Sequence, residues 1–401
     1  MRPGETRMSR GAKLRSRGGE MSIKGKVAGA CCTLLMATGV TALSTGSAHP
    51  QDLRALNDQI LENPGDAALN LRYAQAAEEA GKWRLALAAY ERVLINEPDN
   101  HEARRGYERM RRRIEPAFTT LSAEIGARWD SNVFNTSSGE EEAYSAYTQA
   151  TLIDERPIGA RRWRSIVNFE GEVTPDFDEL NHAWLGAQIG PLLYAGPHLA
   201  AIPALGVGVA TLDDAFYFNE VNLGVTFEGH HGGLSYWVRP RAGWRDYSDD
   251  SIADNGPYAE VAAGMSIPRI ASDSDVIVLL PWARWSDIEG STFNFFSGGD
   301  LTPGEYNEFG ATVTYKNQVS DHLLLAVGVT GRERYYAQNV SFAGPDRHDT
   351  YVAPEVSATL TGVLPCECGV RFAYAYRSNS SNDPDADFDA QQVSLALLTR
   401  F

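Results

Sequence analysis

Arginines and carboxylates at alternating positions are the residues of this sequence with the most chemical potential. In Leu234 to Asp246, Arg239, Arg241 and Arg245 fall on one side with Ser235, while Leu234, Tyr236, Val238, Ala242 and Trp244 take the other. The same parity gathers Arg128, Arg164, Arg332, Arg334, Arg371 and Arg400 with Glu124, Glu170, Glu172, Glu260 and Glu308. Successive side chains of a strand point to opposite faces, so such charges collect on a single face of a sheet. There they can pair with one another and hold the sheet's shape, or line a polar path for a passing solute. Both uses stay open at the level of sequence.

Other chemistry-bearing residues are less ordered. Asp383-Pro384-Asp385-Ala386-Asp387-Phe388-Asp389 would aim alternate carboxylates one way if extended, a donor set that suits calcium. It lacks the central Gly and closing Glu of a calcium loop and reads as a solvated surface loop. Cys366-Glu367-Cys368 sits in a predicted turn, where an oxidising compartment could close a strained ring; it reads as an inert turn. His230-His231 reads as surface polarity. No serine or cysteine nucleophile motif, phosphate loop or zinc spacing occurs, so we expect no enzymatic activity and no cofactor, although a constellation assembled from distant strands leaves no local motif.

The charged face needs strands to carry it, and from Ala117 onward the hydrophobic period is two. Alternating blocks run from Leu121 to Asp130, Trp163 to Val173, Leu234 to Asp246, Tyr258 to Ile267, Asn307 to Lys316, Leu323 to Tyr335, Val370 to Arg377 and Val393 to Phe401. In the seventh, Val370, Phe372, Tyr374 and Tyr376 oppose Arg371, Ala373 and Ala375. Arginines in register against near-solid aliphatic and aromatic positions suit a wet lumen and a lipid-facing exterior better than a soluble sandwich.

About fourteen segments are expected, an even number as in bacterial single-chain barrels. Their breaks alternate in length. Gly196-Pro197, His230 to Gly233, Ser272 to Ser274, Asn317 to Asp321 and Pro365 to Gly369 are short, whereas Asp130 to Glu142, Thr174 to Asn181, Asp246 to Asn255, Asp287 to Gly304, Gln338 to Asp349 and Ser378 to Asp389 are longer and acidic. Short periplasmic turns and long external loops are the pattern of outer-membrane barrels. Val393, Leu395, Leu397 and the terminal Phe401 share a face, which resembles the sorting signal read by the barrel-assembly machinery.

Export is expected on separate grounds. Lys24 and Lys26 precede the apolar, small-residue run Val27 to Leu43, and Gly46-Ser47-Ala48 offers a cleavage site, so residues 1–48 read as a signal peptide with an N-terminal extension and Met21 as the initiator. The run is interrupted by Thr, Gly and Ser and is short for a membrane span. A net charge of −16, from 52 acidic against 36 basic residues, argues against nucleic acid as a partner.

Between signal and strands, residues 52–113 carry apolar positions at helical spacing with many Ala, Leu, Glu and Arg. Two turns, Asn63-Pro64-Gly65-Asp66 and Glu97-Pro98-Asp99-Asn100, place their prolines 34 positions apart, the period of a tetratricopeptide repeat. The intervening sequence resembles that family: Ala74 and Ala86 are the small residues where its two helices meet, Gly81 lies in the turn, and Tyr90 is the aromatic before Pro98. Asn70 departs from it, standing where a large apolar residue is usual. Such repeats bind protein segments in a concave groove that needs several copies, and this chain has fewer than two. A scaffold or plug near a barrel mouth and a docking role are both compatible.

The order of signal, tetratricopeptide-like segment and barrel over 117–401 resembles the surface lipoprotein assembly modifier family. Asp130-Ser131-Asn132-Val133-Phe134, at the top of the first strand, also resembles a short element of repeat-plus-barrel outer-membrane proteins, and reads equally as a polar turn. The resemblance implies an all-β transmembrane barrel with a small periplasmic helical segment, helping a lipoprotein or other protein reach the cell surface. An exopolysaccharide-export porin and a passive or structural outer-membrane protein are the alternatives. Expected partners are outer-membrane lipids, the barrel-assembly machinery and a protein substrate, and the chain is expected to work as a monomer.

Overall fold

The computed structural model describes residues 50–401 apart from 116, 160, 197, 232, 249–252, 289, 291–303, 340–343, 363–367 and 401. The segment read as an export signal, Cys366 and Phe401 therefore lie outside the described residues. Four helices come first: α1 (Pro50–Glu62), α2 (Ala67–Glu79), α3 (Trp83–Asn96) and α4 (His101–Ile114). Local chemistry sets their ends. The Asp66 carboxylate accepts the Leu69 N–H at 2.9 Å and the Asn100 side chain accepts that of Ala103 at 3.0 Å, each filling an orphan donor of a first turn. Gly81, at φ 69°, supplies the left-handed residue that reverses the chain after α2. In α4, Glu102 stands in the first turn and Arg111, Arg112 and Arg113 in the last, matching the helix dipole at both ends.

Fourteen antiparallel strands follow: β1 (Phe118–Asp130), β2 (Ala143–Ile158), β3 (Arg161–Val173), β4 (His182–Pro191), β5 (Leu199–Leu212), β6 (Ala215–His231), β7 (Leu234–Tyr247), β8 (Gly256–Pro268), β9 (Asp275–Ile288), β10 (Gly304–Ser320), β11 (Leu323–Asn339), β12 (Asp346–Thr361), β13 (Gly369–Ser381) and β14 (Phe388–Arg400). Leu193–Tyr194 prolongs β4 along β5. Each strand pairs with its sequence neighbour, and β14 returns to β1 in register, Ala127 opposite Leu395 and Asp130 opposite Gln392. The sheet is a closed barrel without edges.

The two ends differ as the break lengths predict. Tight turns join strands at the end where the helices lie, and longer connections gather at the other. One connection departs from the pattern: β5 and β6 meet at the loop end through Asp213-Asp214 alone, at φ 51° and 55°, the two-residue left-handed turn that matches strand twist. Strands also run further than read: β12 starts at Asp346 and β13 continues to Ser381, because backbone pairing persists where side chains turn polar.

Outside, the barrel is apolar all round. Leu205, Leu223, Val327, Val356, Phe372 and Leu395 are exposed, far more than a water-facing surface carries. Exposed aromatics ring both ends of this band, with Tyr144, Phe216, Trp244, Trp285, Tyr335 and Tyr376 toward the loops and Tyr194, Phe227 and Tyr236 toward the helices. Apolar band and aromatic girdles together are the exterior of a bilayer-spanning barrel. No described helix is long and apolar enough to cross a membrane.

Candidate functional site

Inside the barrel, the charges gathered by strand parity meet as ion pairs. Glu308 is fully buried and accepts from Arg334 Nη2 at 2.5 Å, Arg284 Nη1 at 3.1 Å and Trp282 Nε1 at 2.5 Å. Arg284 also bonds Glu260 at 2.9 Å, and Arg241 and Arg239 approach that carboxylate at 3.5 and 3.6 Å. Glu220 accepts from Arg245 Nε at 3.2 Å and the Tyr258 hydroxyl at 3.1 Å. Arg164 bridges Glu155 and Glu228, each at 2.7 Å. Buried charges persist only when paired and hydrogen-bonded; this set runs along the inner face of β6 to β11, with Glu155 and Arg164 adding β2 and β3.

Glycines make room for it. The Trp282 ring lies over Gly310 of the neighbouring strand, so a Cβ there would stand 2.2 Å from Trp282 Cζ2. Gly310→Ala is expected to push Trp282 off Glu308 at a cost of about 1–3 kcal/mol, seen as a lower urea midpoint for barrel unfolding in detergent.

Beside this network the lumen is open, with Trp282, Arg284, Glu308 and Arg334 forming part of the boundary. Along β10 to β14 and β1, a cavity of about 1100 Å³ extends from Phe134 and Asp385 at the loop end to Lys316, Thr359 and Leu398 at the helix end. Ion pairs border it as well: Arg128 with Glu172, Arg371 with Glu124, Arg377 with Asp130 at 2.5 Å and Arg347 with Asp349 at 2.7 Å. The Asp130-Ser131-Asn132-Val133-Phe134 element is a built turn. Asn132 is fully buried, donates to the Thr136 carbonyl at 2.8 Å and to Asp389 O at 3.3 Å, and turns Val133 and Phe134 toward the cavity.

Every lumen residue named from sequence lies on the inner face, except that Arg400 stands at the rim and is mostly exposed. Glu260 meets Arg239 and Arg241, and Glu308 meets Arg332 and Arg334; Glu170 lies on the inner face between Gln149 and Trp184. Glu155, Glu220, Glu228, Arg284 and Asp349 were missed. Glu220 and Asn222 do alternate with Val221 and Leu223, a usable signal, whereas Val276, Val278 and Leu280 make both faces of β9 apolar and hide Arg284.

One reading needs correction. His230 is largely buried and bonds Glu78 of α2 at 2.8 Å, so it is a docking contact and not surface polarity. The Asp383 to Asp389 run is a mostly exposed loop, as read, wound into a short turn over Pro384–Ala386 that splits its carboxylates among Asp385 N, Ser381 N and the Tyr376 hydroxyl. Asn70 is buried where an apolar residue was expected because its amide holds the Pro64 and Asp66 carbonyls of the preceding turn, at 3.0 and 2.8 Å. Cys368 is disulfide-bonded.

The helical segment lies across the barrel's end. Its apolar core, with Ala74, Ala86, Tyr90, Val93 and Met110 fully or almost fully buried, draws on helix residues alone. Contact with the barrel is polar: Glu102 with Arg269 of the β8–β9 turn, Glu108 with Arg400 at 3.0 Å, and the Glu115 carbonyl with Arg162 at 2.8 Å. Arg113 is sandwiched between Trp83 of α3 and Tyr194 beside β4, at 4.3 and 4.6 Å from the ring centroids. These contacts fall on β3, β4, β6, β8–β9 and β14, so the helices span the opening.

At the centre of the helical segment is Glu78, which accepts from the Tyr90 hydroxyl at 2.9 Å and from Arg109 through both Nε and Nη2, in addition to His230. Burial alone would raise this carboxyl, but the bonds from His230 and Arg109 hold it well below the usual carboxylate range. A depressed folded pKa stabilises above the unfolded value of 4.5 and is lost as pH falls below it. Helical ellipticity is therefore expected to hold from neutral pH to about 5 and to fall under acid, and Glu78→Gln is expected to flatten that dependence.

Neither a family model nor a curated protein matches the chain. Among solved structures it is similar to OmpT, an outer membrane protein of Vibrio cholerae, at 9% identity and TM-score 0.39, over 72% of this chain and 98% of that one. OccK2 of Pseudomonas aeruginosa, solved with glucuronate, gives 10% and 0.37 over 72% and 98%. The outer membrane protein OpdK of the same organism gives 11% and 0.36 over 71% and 99%.

Proposed function

We propose that the chain is an outer-membrane barrel whose helical segment faces the periplasm, closes the mouth and moves aside to let a protein substrate reach the cell surface. The carrying observation is that the helices keep a complete core of their own and touch the barrel through ion pairs, one hydrogen-bonded histidine and a cation sandwich. Leaving the mouth would expose charged and polar surface with little lost apolar burial, as a movable plug requires. A passive channel has no use for such a cover. The apolar band and aromatic girdles support the membrane setting, and the resemblance in order of helical segment and barrel to surface lipoprotein assembly modifiers supports a protein substrate.

Protease shaving of intact cells, with and without the gene, tests this. Loss of a surface-exposed lipoprotein on deletion is the expected result. Unchanged surface proteins together with steady conductance of the intact purified chain would turn the reading to a solute pore through the 1100 Å³ cavity.

A further inference from the structure

A second cavity, of about 400 Å³, lies between α4 and the barrel wall. Arg105, Arg109 and Arg112 line it from one face of α4, spaced one and two turns apart, and Arg164 lines it from β3. The rest of the wall joins Arg113, His198, His230 and the carboxylates of Glu155 and Glu228 to an apolar side formed by Leu199, Trp237, Met265, Val278 and Leu280.

The arginines are not equally satisfied, and Arg113 is taken up by the Trp83 and Tyr194 rings. Arg109 is held by Glu78 at 2.9 Å and Arg164 by Glu155 and Glu228. Glu108, also on the wall, is engaged by Arg400. Arg105 bonds only the His101 carbonyl at 3.3 Å, and its Nη2 is buried without an acceptor. Arg112 stands 5.2 Å over the Phe118 ring, and its Nε is likewise buried without an acceptor. Neither has a carboxylate partner among the described residues. Buried donors are normally matched, so these two ask for an anion, and the wall beside them asks for hydrocarbon.

We propose that this cavity binds a single-chain anionic amphiphile, its carboxylate or phosphate on Arg105 and Arg112 and its acyl chain along Trp237, Met265, Val278 and Leu280. The volume falls within the range of about 300–1,000 Å³ typical of small-molecule sites. Since the occupant would touch α4 from the barrel side, it would bear on the docked state of the helices; in that respect the inference rests on the gated reading. It deepens that reading by giving the gate an acyl-bearing ligand.

Native mass spectrometry of the full chain in non-ionic detergent tests it, with palmitate, lysophosphatidate and neutral monopalmitoylglycerol as probes. One adduct per chain is expected with either anion, at least tenfold weaker with the neutral ester. The tighter anion then tells a fatty-acid source from a phospholipid one. Arg105→Gln with Arg112→Gln is expected to weaken the anion about tenfold without weakening the ester, heat-modifiable electrophoretic mobility confirming that the barrel is folded. Equal binding of the three probes, no adduct with either anion, or unchanged affinity in the arginine variant would overturn the proposal. Binding is read without transport, so a missing adduct beside gene-dependent surface display would remove this site and leave the proposed function standing.

Discussion

Arg269→Glu combined with Arg400→Glu is expected to raise the open probability of the pore about tenfold. Both arginines belong to the barrel rim, so the variant leaves the helical core untouched while setting carboxylates against Glu102 and Glu108. Partly exposed pairs contribute at most about 1 kcal/mol each; turning two attractions into repulsions shifts docking by roughly 1.4 kcal/mol, which is a factor of ten in a two-state equilibrium. Single-channel recording in planar bilayers reads the change, and low ionic strength should enlarge it. Glu108→Arg placed opposite Arg400→Glu restores the pair with reversed sense and should lower the open probability again. Identical conductance in parent and variant would mean that the helices do not close the mouth.

The barrel was legible because its exterior and lumen ask for opposite residue types on alternate positions. Arg239, Arg241 and Arg245 against Tyr236, Val238 and Trp244 could be sorted without coordinates, and the sorting holds in every strand where one face is charged. It fails for β9, where Val276, Val278 and Leu280 point inward yet are apolar, because the helical segment and the second cavity lie there. Pair identities were illegible for another reason. Glu228 reaches Arg164 across a sequence separation of 64 and Arg371 reaches Glu124 across 247, distances fixed by strand register and barrel closure that no local pattern encodes. His230 is the sharpest case: a turn histidine looks like solvent polarity until a separate helical unit brings Glu78 to it. Likewise, α2 to α4 were readable as helices from their period and the proline turns between them, but nothing in their own sequence says which face meets the barrel.

Glu308→Ala is expected to cost about 3–5 kcal/mol, the largest single loss in the lumen, because it strands partners that are themselves almost wholly buried. Arg334 is almost fully buried and Arg284 nearly so, and the Trp282 indole donates to the same carboxylate. Urea unfolding in detergent, followed by tryptophan fluorescence, should show a lower midpoint with an unchanged slope. Glu124→Ala supplies the contrast: its partner Arg371 is about one-third exposed, so water can replace the carboxylate and the loss should stay near 1 kcal/mol or less. Glu308→Leu with Arg334→Met should recover most of the stability, since a buried pair replaced by packed apolar groups no longer carries its desolvation penalty. Recovery would mean that the network along β6 to β11 holds the wall in register without being required for stability as such. Failure of the double variant while Glu308→Ala remains costly would instead tie Arg334 to Tyr336, whose hydroxyl it bonds at 3.0 Å, and through that bond to the shape of the cavity itself.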